Sequence, residues 1–160
     1  MRIRKRRGFT LAAVGAAAFL MTAGALLLAG PRALAVVDTA TGKAYGRWPV
    51  KDGTEFFVEF VHSVNQSPVR DVFQVRGRRI VPVAAVFSSL GAGLPATAES
   101  GRTLSRDPTG ALRLTGFTAA YRELPYIVGT VSDHILGINN ERVSLRDLCG
   151  RNAHITLRVR

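Results

Sequence analysis

Short apolar runs with a period of two residues are the feature that most narrows the fold of this chain. After Ala35, no window of about a dozen residues keeps the i, i+3, i+4 apolar spacing of an amphipathic helix. Instead, β-branched and aromatic stretches alternate with Gly, Pro, Asn and Asp turn signals about every eight to twelve residues. This pattern is typical of small antiparallel β-proteins. We predict an all-β fold, a single antiparallel β-sandwich or Greek-key-like domain, for residues 36–160.

Two neighbouring segments alternate most clearly, because side chains of a strand point to opposite faces in turn. In residues 55–62 one face carries Phe56, Val58, Phe60 and His62. In residues 69–76 one face carries Val69, Asp71, Phe73 and Val75. The other predicted strands are 34–38, 79–88, 112–117, 126–131, 134–138 and 154–159, with a short helical turn at 144–148. Residues 88–110 are rich in Gly, Ser, Thr and Pro, and we predict a loop there.

The first 35 residues have the three parts of an export signal. Residues 2–7 carry five positive charges, residues 8–30 carry no charge, and Ala33-Leu34-Ala35 has the small-x-small pattern of a cleavage site. Two outcomes stay open: cleavage after Ala35, or retention of residues 8–30 as a transmembrane anchor helix, since about 20 apolar residues span a bilayer. In both cases the basic start stays in the cytoplasm, and residues 36–160 are expected to be extracytoplasmic.

The net charge suggests a nucleic-acid binder, but the distribution of the charges argues against it. The chain has 22 Lys and Arg against 11 Asp and Glu, a formal net charge of +11. Six of the basic residues precede Ala35, and the rest are scattered with no basic stripe and no interleaved aromatic residues. Export would also remove the usual nucleic-acid partner. The single cysteine, Cys149, excludes a disulfide within the chain.

The loop between the two clearest strands contains the first candidate site. If these strands form a hairpin, His62 lies opposite Val69 or nearby, and Asp71 is its diagonal neighbour, about 7–8 Å away. An imidazole and a carboxylate on an apolar face are expected to pair, because buried polar groups need partners. Such a pair either only stabilises the hairpin or forms a recognition or catalytic dyad. The side chains predicted to line the rim of that site are Ser63, Asn65 and Ser67.

Two further motifs supply candidate binding residues. Gly91 and Gly93, one residue apart, allow a tight bend or a close approach of the backbone to a ligand. His134 follows Asp133 where two predicted strands meet. The spacing of the His and acidic residues matches no compact metal-binding pattern, so we predict neither a metal site nor a cofactor.

Three motifs together resemble a known family. They are HSVNQSPV at 62–69, SLGAGLP at 89–95 and SDHIL at 132–136. The combination is similar to a family of small bacterial proteins classed as a domain of unknown function. Its genes commonly lie beside those of TAXI-type TRAP transporters, which are tripartite carriers of small organic anions. The chain has Leu90 where the family usually has Phe or Tyr, and Asn65 where the family often has Glu.

Two functions follow as hypotheses. The resemblance implies an exported or membrane-tethered accessory of solute uptake, a non-enzymatic binding module whose partners are TRAP transporter subunits or a small organic anion. The alternative is a small extracytoplasmic hydrolase, in which the candidate residues are Ser63 or Ser67, His62 or His134, and Asp71 or Asp133. A Ser–His–Asp site is defined by geometry, and the chain has no G-x-S-x-G motif. We therefore favour the binding module and assign no catalytic residue.

Overall fold

Eleven β-strands and one five-residue helix make up the part of the chain that the structure, a computed structural model, describes: residues 31–63, 66–88 and 101–160. The first five strands are β1 Ala33–Asp38, β2 Ala44–Pro49, β3 Glu55–Val61, β4 Pro68–Arg76 and β5 Arg79–Phe87. The others are β6 Thr103–Arg106, β7 Leu112–Thr115, β8 Glu123–Ile127, β9 His134–Ile138, β10 Glu141–Ser144 and β11 His154–Val159. The helix α1 spans Leu145–Cys149 between β10 and β11.

The strands form two antiparallel sheets of unequal width. The smaller sheet has the order β2-β1-β11-β8, and the larger has the order β10-β9-β3-β4-β5-β7-β6. All the named strand pairs are antiparallel. The predicted all-β antiparallel fold is therefore confirmed. The two layers are joined by packing of their facing sides and by hydrogen bonds such as that from the Trp48 ring N–H of β2 to Glu141 of β10.

The core lies between the sheets and contains the alternating residues of both. Leu34 of β1 and Ile155 of β11 belong to the same buried cluster as Phe56 of β3 and Leu136 of β9. Each of these four side chains is almost fully buried, and burying one such side chain stabilises the fold by about 1.5–3 kcal/mol. A second, smaller cluster lies towards the β7 side of the larger sheet and consists of Val69, Phe87, Leu112 and Leu114.

Three strands were not predicted, and each has a local feature that hides it. β2 contains Gly46 and Pro49, which disfavour strands, but it lies at a sheet edge, and the Trp48 ring covers Gly46. β6 falls inside the predicted loop 88–110 and is held by pairing with β7. β10 is four residues long, too short to show a period.

The predicted helical turn is confirmed as α1. Ser144 is its N-cap residue, and the Ser144 hydroxyl accepts a hydrogen bond of 3.0 Å from the backbone N–H of Asp147. Asp133 supports the same helix start, because its carboxylate accepts hydrogen bonds from the Ser144 hydroxyl and from the backbone N–H of Arg146. This arrangement ties the β8–β9 connection to α1.

The first strand begins before the predicted cleavage point. Ala33 and Arg160 exchange two backbone hydrogen bonds, of 2.8 and 3.0 Å, and Leu34 and Ala35 have no exposed surface. A compact unit runs from Arg32 to Arg160. A cut after Ala35 would therefore divide β1. The predicted signal or anchor segment, residues 8–30, lies outside the described residues; within them, no helix has the length and apolar character needed to cross a membrane.

Candidate functional site

A cavity of about 530 Å³ lies beside β8, the edge strand of the smaller sheet. Its walls come from β4, β5, β7 and β8, together with the connection 116–121 and Arg102, which precedes β6. The four-stranded sheet is narrower than the seven-stranded sheet that it packs against. A part of the larger sheet beyond β8 is therefore left without a facing strand. The volume is in the range of small-molecule sites, about 300–1,000 Å³.

Small side chains and a β-bulge shape the floor of this cavity. The pairing of β4 with β5 shifts by one residue between Val72 and Phe73, which increases the local twist. Ala84 and Ala85 lie on β5 at this point and fill little space. The apolar wall residues are Phe73, Pro82, Ala84, Ala85, Leu114, Phe117, Ala119, Leu124 and Pro125. The cavity is therefore mainly apolar, with a few polar groups.

Asp71 is the carboxylate of the cavity. It lies in β4 with Val58 opposite it on β3 and Ala85 opposite it on β5, so its neighbours across both ladders are apolar. Burial raises the pKa of the Asp71 carboxyl above its usual value. No hydrogen-bond donor or cation from residues 31–63, 66–88 and 101–160 pairs with it. Asp71 is thus an uncompensated carboxylate in an apolar cavity.

Tyr126 of β8 faces Asp71 from the smaller sheet. Both side chains line the cavity. Burial raises the pKa of the Tyr126 hydroxyl, and the negative charge of Asp71 raises it further. Tyr126 therefore stays protonated at neutral pH and presents a hydroxyl that can both donate and accept.

His134 joins this group from β9. Its ring stacks on Phe60 at 5.1 Å and meets the edge of the Tyr126 ring at 6.0 Å, measured between ring centroids. Its Nδ1 atom accepts a hydrogen bond of 3.2 Å from the backbone N–H of Gly129, so the proton of the neutral ring is on Nε2. Burial lowers the pKa of His134, although the charge of Asp133 opposes this shift. The imidazole is therefore neutral at pH 7.

Arg102 supplies a positive charge at the rim. Its guanidinium carbon lies 5.2 Å from the centroid of the Phe117 ring, within the range of a cation–π contact. Thr118 and Tyr121 add exposed hydroxyl groups to the same rim. The cavity thus has a half-buried negative group, an exposed positive group, and apolar walls between them.

The predicted pair of His62 and Asp71 is wrong. The register pairs Val58 with Asp71 and Phe60 with Val69, and the backbone N–H of His62 bonds to the carbonyl of Ser67. His62 is four residues beyond Val58 along β3, roughly 13 Å from the level of Asp71. The turn between β3 and β4 is shorter than the predicted register requires. The paired residues of the two strands therefore continue closer to the turn. The histidine that shares a cluster with Asp71 is His134, through Tyr126.

The other predicted site residues have separate places. Ser63 is exposed in the β3–β4 turn, where its carbonyl accepts a hydrogen bond of 2.7 Å from the Gln66 side chain, and Ser67 is buried at the end of this turn. None of His62, Ser63 and Ser67 lines the cavity. The remaining three predicted residues lie outside the described part of the chain: Asn65, Gly91 and Gly93.

Tyr126 and Arg102 were missed by the sequence analysis. Leu124, Tyr126 and Val128 alternate across Pro125, which signals a strand that Pro restricts to a sheet edge. This signal was available, but the predicted strand began only at Tyr126. Arg102 lies in the predicted loop 88–110. No nearby residue in the sequence indicates that its side chain contacts the Phe117 ring.

A comparison with known families identifies the family of this chain. A family model described as Domain of unknown function (DUF1850) matches residues 56–145, which is more than half of the chain. The chain belongs to the DUF1850 family. No curated protein and no solved structure matches the chain significantly.

The DUF1850 match coincides with the cavity. Residues 56–145 contain Asp71, Tyr126, Arg102 and every other residue that lines the cavity, and also His134, which contacts the Tyr126 ring behind it. Three of the four strands of the smaller sheet, β1, β2 and β11, lie outside the match. They supply most of the layer that closes the core, while the matched segment supplies the site.

The raised pKa of Asp71 predicts a stabilising substitution. Because burial disfavours the charged form of Asp71, the ionised carboxylate lowers the free energy of unfolding. This loss of stability is fully present above the pKa of Asp71 in the folded state. It disappears as the pH falls below the pKa of the unfolded chain, about 3.9. We expect Asp71→Asn to raise the free energy of unfolding at pH 7 by about 1 kcal/mol. The gain should vanish below about pH 4. Thermal unfolding monitored by circular dichroism across this pH range measures it.

Glu59→Gln is the matched control for this prediction. Burial raises the pKa of Glu59, but hydrogen bonds and charge from Arg142 and Arg70 outweigh it and lower the pKa overall. Glu59→Gln should therefore reduce stability at pH 7. A loss of stability in Asp71→Asn at pH 7, or a gain independent of pH, would contradict the assignment of Asp71 as an uncompensated carboxylate.

Proposed function

We propose that this DUF1850 protein is a non-enzymatic binding module that takes a small organic anion with a hydrogen-bond donor into the cavity at Asp71. The observation that carries the proposal is a carboxylate on an apolar surface without a donor or cation from the described residues. Burying such a group is costly unless it is paired. Perturbed carboxylates in cavities are characteristic of functional sites, and a ligand that donates a hydrogen bond would remove the cost.

The remaining groups of the cavity indicate the chemistry of the ligand. Asp71 accepts hydrogen bonds, so it favours a hydroxyl or ammonium group. Arg102 at the rim favours a carboxylate or phosphate, which a guanidinium binds with two parallel hydrogen bonds. Phe73, Phe117 and Leu114 favour a short apolar body between the two ends. A hydroxy acid or an amino acid has all three features.

We propose that the protein is located at the outer face of the cytoplasmic membrane, beside a TRAP-type transporter. The support for this location is the basic start and uncharged residues 8–30, and the resemblance of the motifs at 62–69, 89–95 and 132–136 to the transporter-associated family. A module that holds a small organic anion suits a carrier of such solutes. Recovery of transporter subunits with the chain from detergent-solubilised membranes tests this part, and repeated absence of every subunit would contradict it.

The hydrolase alternative is not favoured by the geometry. Asp71 lies far from His62 along the ladder, and Asp133 is engaged by Ser144 and Arg146 at the start of α1. Among the described residues that line the cavity there is no Ser and no Cys. The serine nucleophile of the predicted hydrolase is therefore not among the described residues around Asp71.

Ligand binding tests the proposal directly. The probes are short hydroxy and amino carboxylic acids whose donor group is at the end of the carbon chain away from the carboxylate. Each is paired with the carboxylic acid that lacks the hydroxyl or amino group. We expect a donor-bearing acid to bind, as measured by calorimetry, and its affinity to fall about tenfold or more in Asp71→Asn, because hydrogen bonds to charged groups contribute about 1.5–3 kcal/mol. Arg102→Gln should weaken binding of the same acid.

The matched control for Arg102 is Arg113→Gln. Arg113 is exposed on β7 and is next in sequence to Leu114, which lines the cavity, but Arg113 itself does not line it. Its substitution should leave the affinity for the acid unchanged. Equal binding of each acid and its donor-free partner would contradict the role of Asp71. Failure of every probe to bind the wild-type protein would contradict the proposed ligand class.

A further inference from the structure

The tip of the β4–β5 hairpin concentrates positive charge. Arg76, Arg78 and Arg79 lie within four residues around Gly77, and all three are exposed. Arg76 and Arg79 are also directly opposite each other in the ladder. Like charges in that position destabilise a sheet. The hairpin therefore keeps an unfavourable charge arrangement that an external anion would relieve.

A fourth arginine reaches the same tip from the start of the domain. Arg32 donates hydrogen bonds to the carbonyl of Gly77, at 3.1 Å, and to the carboxylate of Asp52, at 2.7 Å. Asp52 in turn accepts a hydrogen bond of 2.6 Å from the backbone N–H of Gly77. Within the described part of the chain, Asp52 forms an ion pair with Arg32 alone. We call the group of four arginines at this hairpin the basic tip: Arg32, Arg76, Arg78 and Arg79.

The position of Arg32 in the chain connects the basic tip with the uncharged segment. Arg32 comes two residues after the end of residues 8–30, and β1 begins at the next residue, Ala33. In the sequence, Pro31 alone lies between the uncharged segment and Arg32. Arginine at the end of a membrane-embedded segment lies at the level of the lipid headgroups. Arg32 contacts the β4–β5 hairpin through its hydrogen bond to the Gly77 carbonyl, so a residue of the basic tip follows the uncharged segment closely in the sequence.

We propose that the basic tip binds the phosphate groups of an anionic phospholipid surface. Guanidinium groups bind phosphate oxygens with two parallel hydrogen bonds, and each basic residue near an anionic membrane adds to the attraction. The proposal rests on the tethering part of the proposed function and is independent of the cavity at Asp71. An acidic protein surface is the other class of partner for such a tip, but nothing in the chain indicates one, whereas residues 8–30 indicate a bilayer.

Chemical footprinting of the full chain in vesicles tests this proposal. The chain is reconstituted into phosphatidylglycerol vesicles and into phosphatidylcholine vesicles, and both samples are treated with phenylglyoxal, which modifies exposed arginine side chains. Mass spectrometry gives the modification rate at each position. We expect the rates at Arg76, Arg78 and Arg79 to be at least about fivefold lower in phosphatidylglycerol, and high salt to reduce this difference. Arg106 and Arg113, exposed on β6 and β7, are internal controls that should react equally in both vesicles.

Each possible failure has a distinct meaning. If the chain floats with both kinds of vesicle and the three arginines react equally in both, the lipid contact is refuted while the tether stands. If dissolved glycerol phosphate protects the same arginines equally well in phosphatidylcholine, the tip is a site for soluble anions, and the membrane proposal is refuted. If the chain floats with neither vesicle, the tether and the lipid contact both fall.

Discussion

A chain that begins at Val36 is expected not to fold, whereas a chain that begins at Arg32 should unfold cooperatively. Removal of residues 32–35 deletes Leu34, which has no exposed surface, and both hydrogen bonds between Ala33 and Arg160. Truncating a buried leucine to alanine alone costs about 2–5 kcal/mol. Whole domains have only about 5–15 kcal/mol of stability, so the loss of half of β1 should exceed what the fold can tolerate.

Urea denaturation of the two chains, followed by circular dichroism and Trp48 fluorescence, measures this effect. Leu34→Ala in the longer chain is the control, and it should lower the free energy of unfolding by about 2–5 kcal/mol without abolishing the transition. If the chain that begins at Val36 unfolds at the same urea concentration as the longer one, β1 is dispensable. The expected result would mean that cleavage after Ala35 yields an unfolded product, which favours retention of the N-terminal segment as an anchor.

Gly129→Ala is expected to have the second largest effect on the stability of the domain. A Cβ atom at Gly129 would overlap the backbone carbonyl oxygen of Ser132. This turn has little freedom to move, because Arg146 and Arg151 donate hydrogen bonds to two of its other carbonyl groups. Overpacking of this kind costs about 1–3 kcal/mol, and the rigid backbone places this site at the upper end, about 3 kcal/mol. We expect the melting temperature to fall by about 10 °C.

The turn at Gly129 also positions the candidate site. The Gly129 N–H bonds to Nδ1 of His134, so displacement of the turn should change the pKa of His134, which NMR titration measures. Gly110→Ala is the matched control: Gly110 has a φ of +88° but open space around it, so the expected cost is only the backbone strain of about 1 kcal/mol. Equal losses in the two variants would show that the overlap with Ser132 is relieved at no cost.

The alternation of β3 and β4 was predictable because it depends on local backbone geometry. Phe56 and Val58 on one strand, and Asp71 and Phe73 on the other, do share the inner face of the larger sheet, as their spacing predicts. The sequence also placed a carboxylate on an apolar face, which is the unusual feature of the site. The existence of α1 followed in the same way from a few adjacent residues, since Ser144 and its neighbours contain the helix-start signal.

Register was not predictable, because a shift of two residues leaves every side chain on the same face. The predicted hairpin placed His62 near Asp71, and the actual hairpin places Val58 there, yet both satisfy the same alternation. Only the geometry of the turn and the packing of the whole sheet distinguish the two. The error therefore moved the proposed partner of Asp71 without changing the face on which Asp71 lies.

The sequence by itself determined the all-β class, the faces of the main strands, and the basic-then-apolar character of the N-terminal segment. Each of these depends on residues that are neighbours in the chain. The tertiary structure alone decided that Asp71, Tyr126 and His134 lie together, because they come from β4, β8 and β9 in two different sheets. It also decided that the four-stranded sheet leaves a cavity over the seven-stranded one. The physical reason is that strand periodicity comes from the local backbone, whereas the stacking of sheets depends on burial of apolar surface summed over the whole chain.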